Sequence, residues 1–238
     1  MATRPIEVVR SLAFYIAFYG GTLGFMLSVF AMRLVGTKPL SRVVQAWSRY
    51  HRLCARWLLG IRVVVEGTVP SGKVLVAGKH ESFFEAIDLP ALFDHPVPFP
   101  KGQLMRIPLW GWAASAYGAV VVEREQGAKA LRAMITSARK FSAQGRPLVI
   151  FPEGTRVPHT EIAPLQAGFA GIYKMLGLPV VPIAVDSGEL YHRRWKRAGT
   201  ITYRVGEPIP HGLPREEVEA RVLAAINVLN GQQSGATG

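Results

Sequence analysis

From residue 61 onward, short apolar runs alternate with longer stretches of helical period. The β-branched, apolar runs at residues 61–66, 73–77, 119–122, 147–151, 180–185 and 200–205 read as strands, and residues 83–92, 127–143, 166–176 and 214–230 as helices. The last helix is well marked: Pro214 suits a first helical turn, and Val218, Val222, Ile226 and Leu229 line one side. This alternation predicts an α/β fold, mostly a central β-sheet flanked by helices. Two different segments precede it. Residues 11–32 carry no charge between Arg10 and Arg33, and as a helix they would reach about 33 Å, enough for a hydrocarbon core of about 30 Å. The run is long for a signal peptide and is followed by basic sequence rather than a small-residue cleavage site. Residues 38–59 are amphipathic: Leu40, Val43, Val44, Trp47, His51, Cys54 and Leu58 share one helical face, while Arg42, Arg49 and Arg56 recur on the other with Arg52 nearby. The expected organisation is a two-helix membrane anchor over residues 1–60, one α/β domain over 61–230, and a small, polar, frayed tail over 231–238.

Charge sharpens this picture. The net charge is +12, and residues 1–70 hold nine Lys and Arg against Glu7 and Glu66, so +7 sits on the most apolar segment. That placement points to anionic lipid or an acidic carrier protein rather than nucleic acid, for which no recognised motif is present. Residues 191–197, YHRRWKR, read as a solvated basic loop that could touch headgroups or an acidic carrier. Cys54 is the single cysteine, which excludes an intramolecular disulfide and a Cys-rich zinc cluster. There is no metal-ligand constellation, no phosphate-cradling P-loop and no G-x-S-x-G elbow.

Candidate chemistry lies at strand ends, where open α/β sheets bind ligands. His80 follows the strand of residues 73–77, with Glu85 five positions on. His80 could act as a general base with Glu85 fixing its tautomer, or Glu85 could simply close an S-x-x-E capping box from Ser82. A second strand delivers Glu153, Gly154, Thr155 and Arg156, in which Gly154 allows close backbone approach and Arg156 presents a planar fork of donors. Backbone N–H groups near Ser82 or at Gly154 are candidate oxyanion donors. His51, His95, His159, His192 and His211 have no carboxylate at matching spacing and read as structural or solvated.

Together, H-x4-E and FPEGTR, in this order, resemble the glycerolipid acyltransferases, specifically the 1-acylglycerol-3-phosphate acyltransferase family. Lys101-Gly-Gln-Leu with Pro108, Gly111, Gly118 and Arg124 is similar to the family's second block, and Val180-Val-Pro-Ile to its fourth. The family usually carries Asp at the position of Glu85 and often Asn at that of Lys79. The resemblance implies transfer of a fatty acyl group from acyl-CoA or acyl carrier protein to the sn-2 hydroxyl of lysophosphatidic acid, with no further cofactor. It implies His80 and Glu85 as the catalytic pair, and Lys101, Arg124, Glu153, Gly154, Thr155 and Arg156 as the site for the acceptor's phosphate. It also implies an inner-membrane location with the active site on the cytoplasmic side. The alternatives are another lyso-lipid acceptor, or a membrane-bound lipid-binding protein whose pair is inactive.

Overall fold

In a computed structural model, residues 4–35, 40–122 and 127–231 are described. The expected tail beyond residue 231, Lys38 and Arg124 therefore lie outside the described residues. Six strands form one sheet: β1 (Ile61–Glu66), β2 (Leu75–Gly78), β3 (Val97–Pro98), β4 (Leu148–Ile150), β5 (Val180–Val185) and β6 (Gly199–Val205). Their order is β1-β6-β5-β2-β4-β3, and every pairing is parallel except β5 with β6. Central strands β2, β4 and β5 are buried throughout, which accounts for their near-continuous apolar sequence.

Side-chain alternation divides the core in two. Leu75, Ala77, Leu148 and Ile150 face α5 (Gly127–Ala143), α6 (Gly168–Leu176) and α8 (Arg215–Ile226), where they meet Ile135, Phe169 and Val222. Val76, Val149 and Val185 face the other way, toward α1 (Pro5–Val35), α2 (Leu40–Cys54) and α3 (Phe83–Leu92). Phe14 and Phe18 of α1, Cys54 of α2 and Phe84 of α3 fill that layer. The two N-terminal helices are thus packed into the same core as the sheet. A turn of π-helix, Ala55–Leu59, extends α2 and ends at Gly60, whose φ of 74° lies in the left-handed region open to glycine. Arg42, Arg49 and Arg56 are exposed as expected, whereas Arg52 turns inward and grips buried Asp88 of α3 through two bonds of 2.5 and 2.7 Å.

Two expectations need correction. Residues 119–122 run beside β3 without forming a full strand: Val120 and Val122 N–H donate to the carbonyls of Pro98 and Pro100, but neither proline has an N–H to return. A bridge between Lys101 and Val122 closes this edge. The basic 191–197 segment is not a solvated loop but holds α1 in place. Lys196 is buried and its N–H donates to Ser11 Oγ at 2.8 Å, Tyr15 donates its hydroxyl to the Arg194 carbonyl at 2.5 Å, and Arg197 pairs with Glu7 at 3.4 Å. Among the described residues, the short helices α4 (Trp110–Tyr117) and α7 (Gly188–Tyr191) complete the set, with one 3₁₀ segment, Gly102–Arg106, before α4.

Candidate active site

The parallel strands β2, β3, β4 and β5 end along one edge of the sheet and deliver His80, Lys101, the 152–156 segment and Ser187 respectively. His80 follows β2 by two residues, and α3 begins at Phe83 after an N-cap at Ser82. Ser82 Oγ accepts from the Phe84 N–H at 3.0 Å, and Glu85 Oε1 accepts from the Ser82 N–H at 2.6 Å, forming the capping box expected from S-x-x-E. The same Oε1 accepts from the Glu81 N–H at 2.6 Å and lies 2.9 Å from His80 Nδ1. Glu85 is therefore both helix cap and histidine partner. With Nδ1–H directed at the carboxylate, the neutral ring carries its lone pair on Nε2.

Burial decides how the pair is presented. The side chain of His80 is 17% exposed and that of Glu85 only 1%, so the imidazole is partly open to solvent and the carboxylate stands behind it. Burial raises the carboxyl's pKa, but the bond and charge of His80, the Ser187 hydroxyl and the Ser82 N–H outweigh it, and Glu85 is held below its ordinary value. Phe151 at the end of β4 stacks on the imidazole, with ring centroids 4.2 Å apart and planes 15° from parallel.

The FPEGTR segment is laced to His80 by backbone. Val157 N–H donates to the His80 carbonyl at 2.8 Å, and Glu153 Oε2 accepts from the His80 N–H at 3.3 Å. Glu153 does not turn toward solvent. Its buried Oε1 takes a 2.7 Å bond from the buried Lys79 ammonium, which also reaches Asn227 Oδ1 at 2.7 Å and the Glu161 carbonyl at 3.2 Å. Gly154 has φ +67°, so the tight turn requires glycine, and its N–H donates to the Phe151 carbonyl at 2.9 Å. Of the N–H groups expected as oxyanion donors, that of Ser82 is given to Glu85 and that of Gly154 to Phe151. Thr155 and Arg156 are exposed, and the Arg156 guanidinium lies 4.2 Å over the ring of Phe83, three residues along the chain from His80. Lys101 is also exposed, but lies beyond β4 at the sheet's outer edge.

Three features of this site carry no local sequence signal. Ser187 is 102 positions from Glu85 yet donates to its Oε2 at 2.6 Å. A second histidine–carboxylate pair, His159 Nδ1 with Glu81 Oε1 at 2.9 Å, is buried behind the first; spacing could not reveal it because 78 residues separate the partners. Glu81 Oε2 accepts from the Gly188 N–H at 2.8 Å. His192, expected to be structural or solvated, is exposed at the end of α7; burial lowers its pKa first, and the nearby Arg156 charge lowers it further.

Comparison with known proteins agrees with this architecture. A family model described as Acyltransferase matches residues 60–186. The chain is 30% identical over 231 residues to a 1-acyl-sn-glycerol-3-phosphate acyltransferase of Pseudomonas aeruginosa, covering 93% of this chain and 87% of that protein. It is 27% identical over 215 residues to the human 1-acyl-sn-glycerol-3-phosphate acyltransferase alpha, covering 87% of this chain and 76% of that protein. In fold it is similar to the crystal structure of the 1-acyl-sn-glycerophosphate (LPA) acyltransferase PlsC from Thermotoga maritima, with a TM-score of 0.71, 22% identity, and coverage of 96% of this chain and 98% of that one. A family match across the strands that carry His80 and Arg156, together with a relative aligned over almost the whole length, places this chain in the acyltransferase family, among the 1-acyl-sn-glycerol-3-phosphate acyltransferases.

Proposed function

We propose that the protein transfers a fatty acyl group from a thioester to the sn-2 hydroxyl of lysophosphatidic acid, giving phosphatidic acid. The observation that carries this reading is the partly accessible His80 imidazole backed at 2.9 Å by a buried Glu85, in a chain whose relatives are named for that reaction. A hydroxyl is a weak nucleophile, so His80 Nε2 removes its proton as the oxygen bonds to the thioester carbonyl carbon. Glu85 stabilises the imidazolium that results. The tetrahedral intermediate then expels the thiol: the C–S bond breaks and the imidazolium returns its proton to the sulfur. No acyl-enzyme is required, and the single cysteine, Cys54, is buried in the core away from this edge. The reaction needs no cofactor beyond the donor, acyl-CoA or acyl carrier protein.

The acceptor's phosphate is assigned to the exposed Arg156 and Thr155, with Lys101 supplying charge from the sheet's outer edge and Arg124 carried over from the family resemblance alone. Glu153 and Gly154 contribute by shaping the turn, since a carboxylate bonded to Lys79 supplies no positive charge. The protein is assigned to a membrane surface rich in anionic lipid, held by residues 1–60. The basic face of α2 argues for the cytoplasmic side of the inner membrane.

An acceptor panel tests this reading. With purified protein and an acyl thioester, lysophosphatidic acid should be acylated, and a monoacylglycerol lacking the phosphate should react more slowly by about 10- to 100-fold, the worth of charged hydrogen bonds of about 1.5–3 kcal/mol. Equal rates on both acceptors would remove the phosphate site.

A further inference from the structure

The turn between β5 and α7 touches the catalytic pair from a part of the chain to which no role is assigned. Ser187 is fully buried, and its Oγ lies 2.6 Å from Glu85 Oε2 and 2.7 Å from Ser82 Oγ, while Ser82 Oγ lies 3.0 Å from the same Oε2. The next residue, Gly188, donates its N–H to Glu81 Oε2 at 2.8 Å. Two carboxylates of the segment that carries His80 are thus gripped from behind by consecutive residues at the end of β5.

The division of partners on Glu85 gives Ser187 its significance. Oε1 is filled by two backbone N–H groups and His80 Nδ1, all within the 80–85 segment, whereas Oε2 is held by serine hydroxyls alone. A glutamate has three rotatable side-chain bonds, and a carboxylate fixed at one oxygen can still swing the other. Ser187 is the partner that ties the free end to a different strand of the sheet. Its hydroxyl also makes the shorter of the two serine contacts, as befits a donor to an ionised acceptor.

We propose that Ser187 is a positioning residue for acyl transfer: by donating to Glu85 Oε2 it fixes the carboxylate plane that aligns the His80 imidazole with the acceptor hydroxyl. This rests on the function proposed above and adds a residue to it. Ser187 does not touch the reacting atoms and acts only through Glu85.

The test is a double-mutant cycle with lysophosphatidic acid and an acyl thioester. Ser187→Ala should lower kcat by about tenfold, the scale of one hydrogen bond to a charged group, and leave both KM values unchanged. In a Glu85→Asp background the carboxylate is one methylene shorter and cannot span both His80 and Ser187, so adding Ser187→Ala should cost less than about twofold. The acid limb of kcat/KM should move to higher pH in Ser187→Ala, because a carboxylate with one donor fewer places more charge against the imidazolium. A folding defect would lower activity equally in both backgrounds and leave the limb in place. Equal losses in the two backgrounds, or no loss in either, would overturn the assignment while an active wild type keeps the acyltransferase reading intact. A wild type inert toward lysophosphatidic acid would overturn both.

Discussion

At Glu85 two readings that compete in the sequence coincide in the fold. One oxygen caps α3 and orients His80, and the other meets the hydroxyls of Ser82 and Ser187. Glu85→Gln separates the two roles. An amide oxygen in the Oε1 position can accept the same three donors, and its NH2 can donate to hydroxyls that rotate to receive it, so the thermal midpoint should change little. The amide cannot stabilise an imidazolium, and turnover should fall by about four orders of magnitude, as in an analogous dyad. Wild-type turnover in Glu85→Gln would end the pairing account. The rest of the residue-scale site was unevenly legible. His80, Glu85 and Arg156 stand out because motif spacing and strand ends mark them. The motif puts Glu153 at the phosphate, but the sequence gives no sign that Lys79, 74 positions earlier, takes its carboxylate inward. Ser187 follows a strand that was legible, so the strand-end rule could have reached it, though nothing local distinguishes it from any other serine.

Among the elements, β1, β5, α3 and α5 fall where the hydrophobic period places them, because each is long enough for its pattern to repeat. Helices α4 and α7 escape for the opposite reason: eight residues of WGWAASAY show no polar face, and α7 has only four residues. The basic face of α2 was correct in outline, but Arg52 belongs to the contact with Asp88 on α3. On the inner face of α2, His51 is fully buried among Phe14, Phe18 and Phe84, with Nε2 bonded to the Tyr191 hydroxyl at 2.8 Å. Burial, followed by the charges of Lys196 and Arg52, pushes its pKa down to about 3 from 6.5. Between these values the unfolded chain binds a proton that the folded protein does not, so stability is full above pH 6.5 and is lost as pH falls toward about 3. Thermal midpoints in detergent should therefore drop across that window, and His51→Gln, which keeps a donor for Tyr191 without titrating, should flatten the dependence. An identical slope in the variant would assign the acid sensitivity to other groups.

Over the whole molecule, α1 has two different sides. Ser11, Phe14, Phe18 and Val29 are buried in the fold, while Ile16, Leu23, Leu27 and Leu34 belong to an apolar stripe that is exposed along the helix. A stripe of this length on a helix long and apolar enough to cross a membrane fits lipid contact on the outward side. Because the inward side completes the core, removing residues 1–60 would strip Phe14, Phe18, Cys54 and Leu59 from the layer that also holds Phe84 of α3. The chemistry is therefore best read with the full chain, in lipid. The most direct measurement is single-turnover formation of phosphatidic acid from an acyl thioester and lysophosphatidic acid, with wild type and His80→Ala each reconstituted in anionic vesicles. The account predicts product from wild type, and a rate about two to four orders of magnitude lower for His80→Ala at equal vesicle binding and unchanged thermal midpoint. A His80→Ala protein that forms phosphatidic acid at the wild-type rate would contradict it.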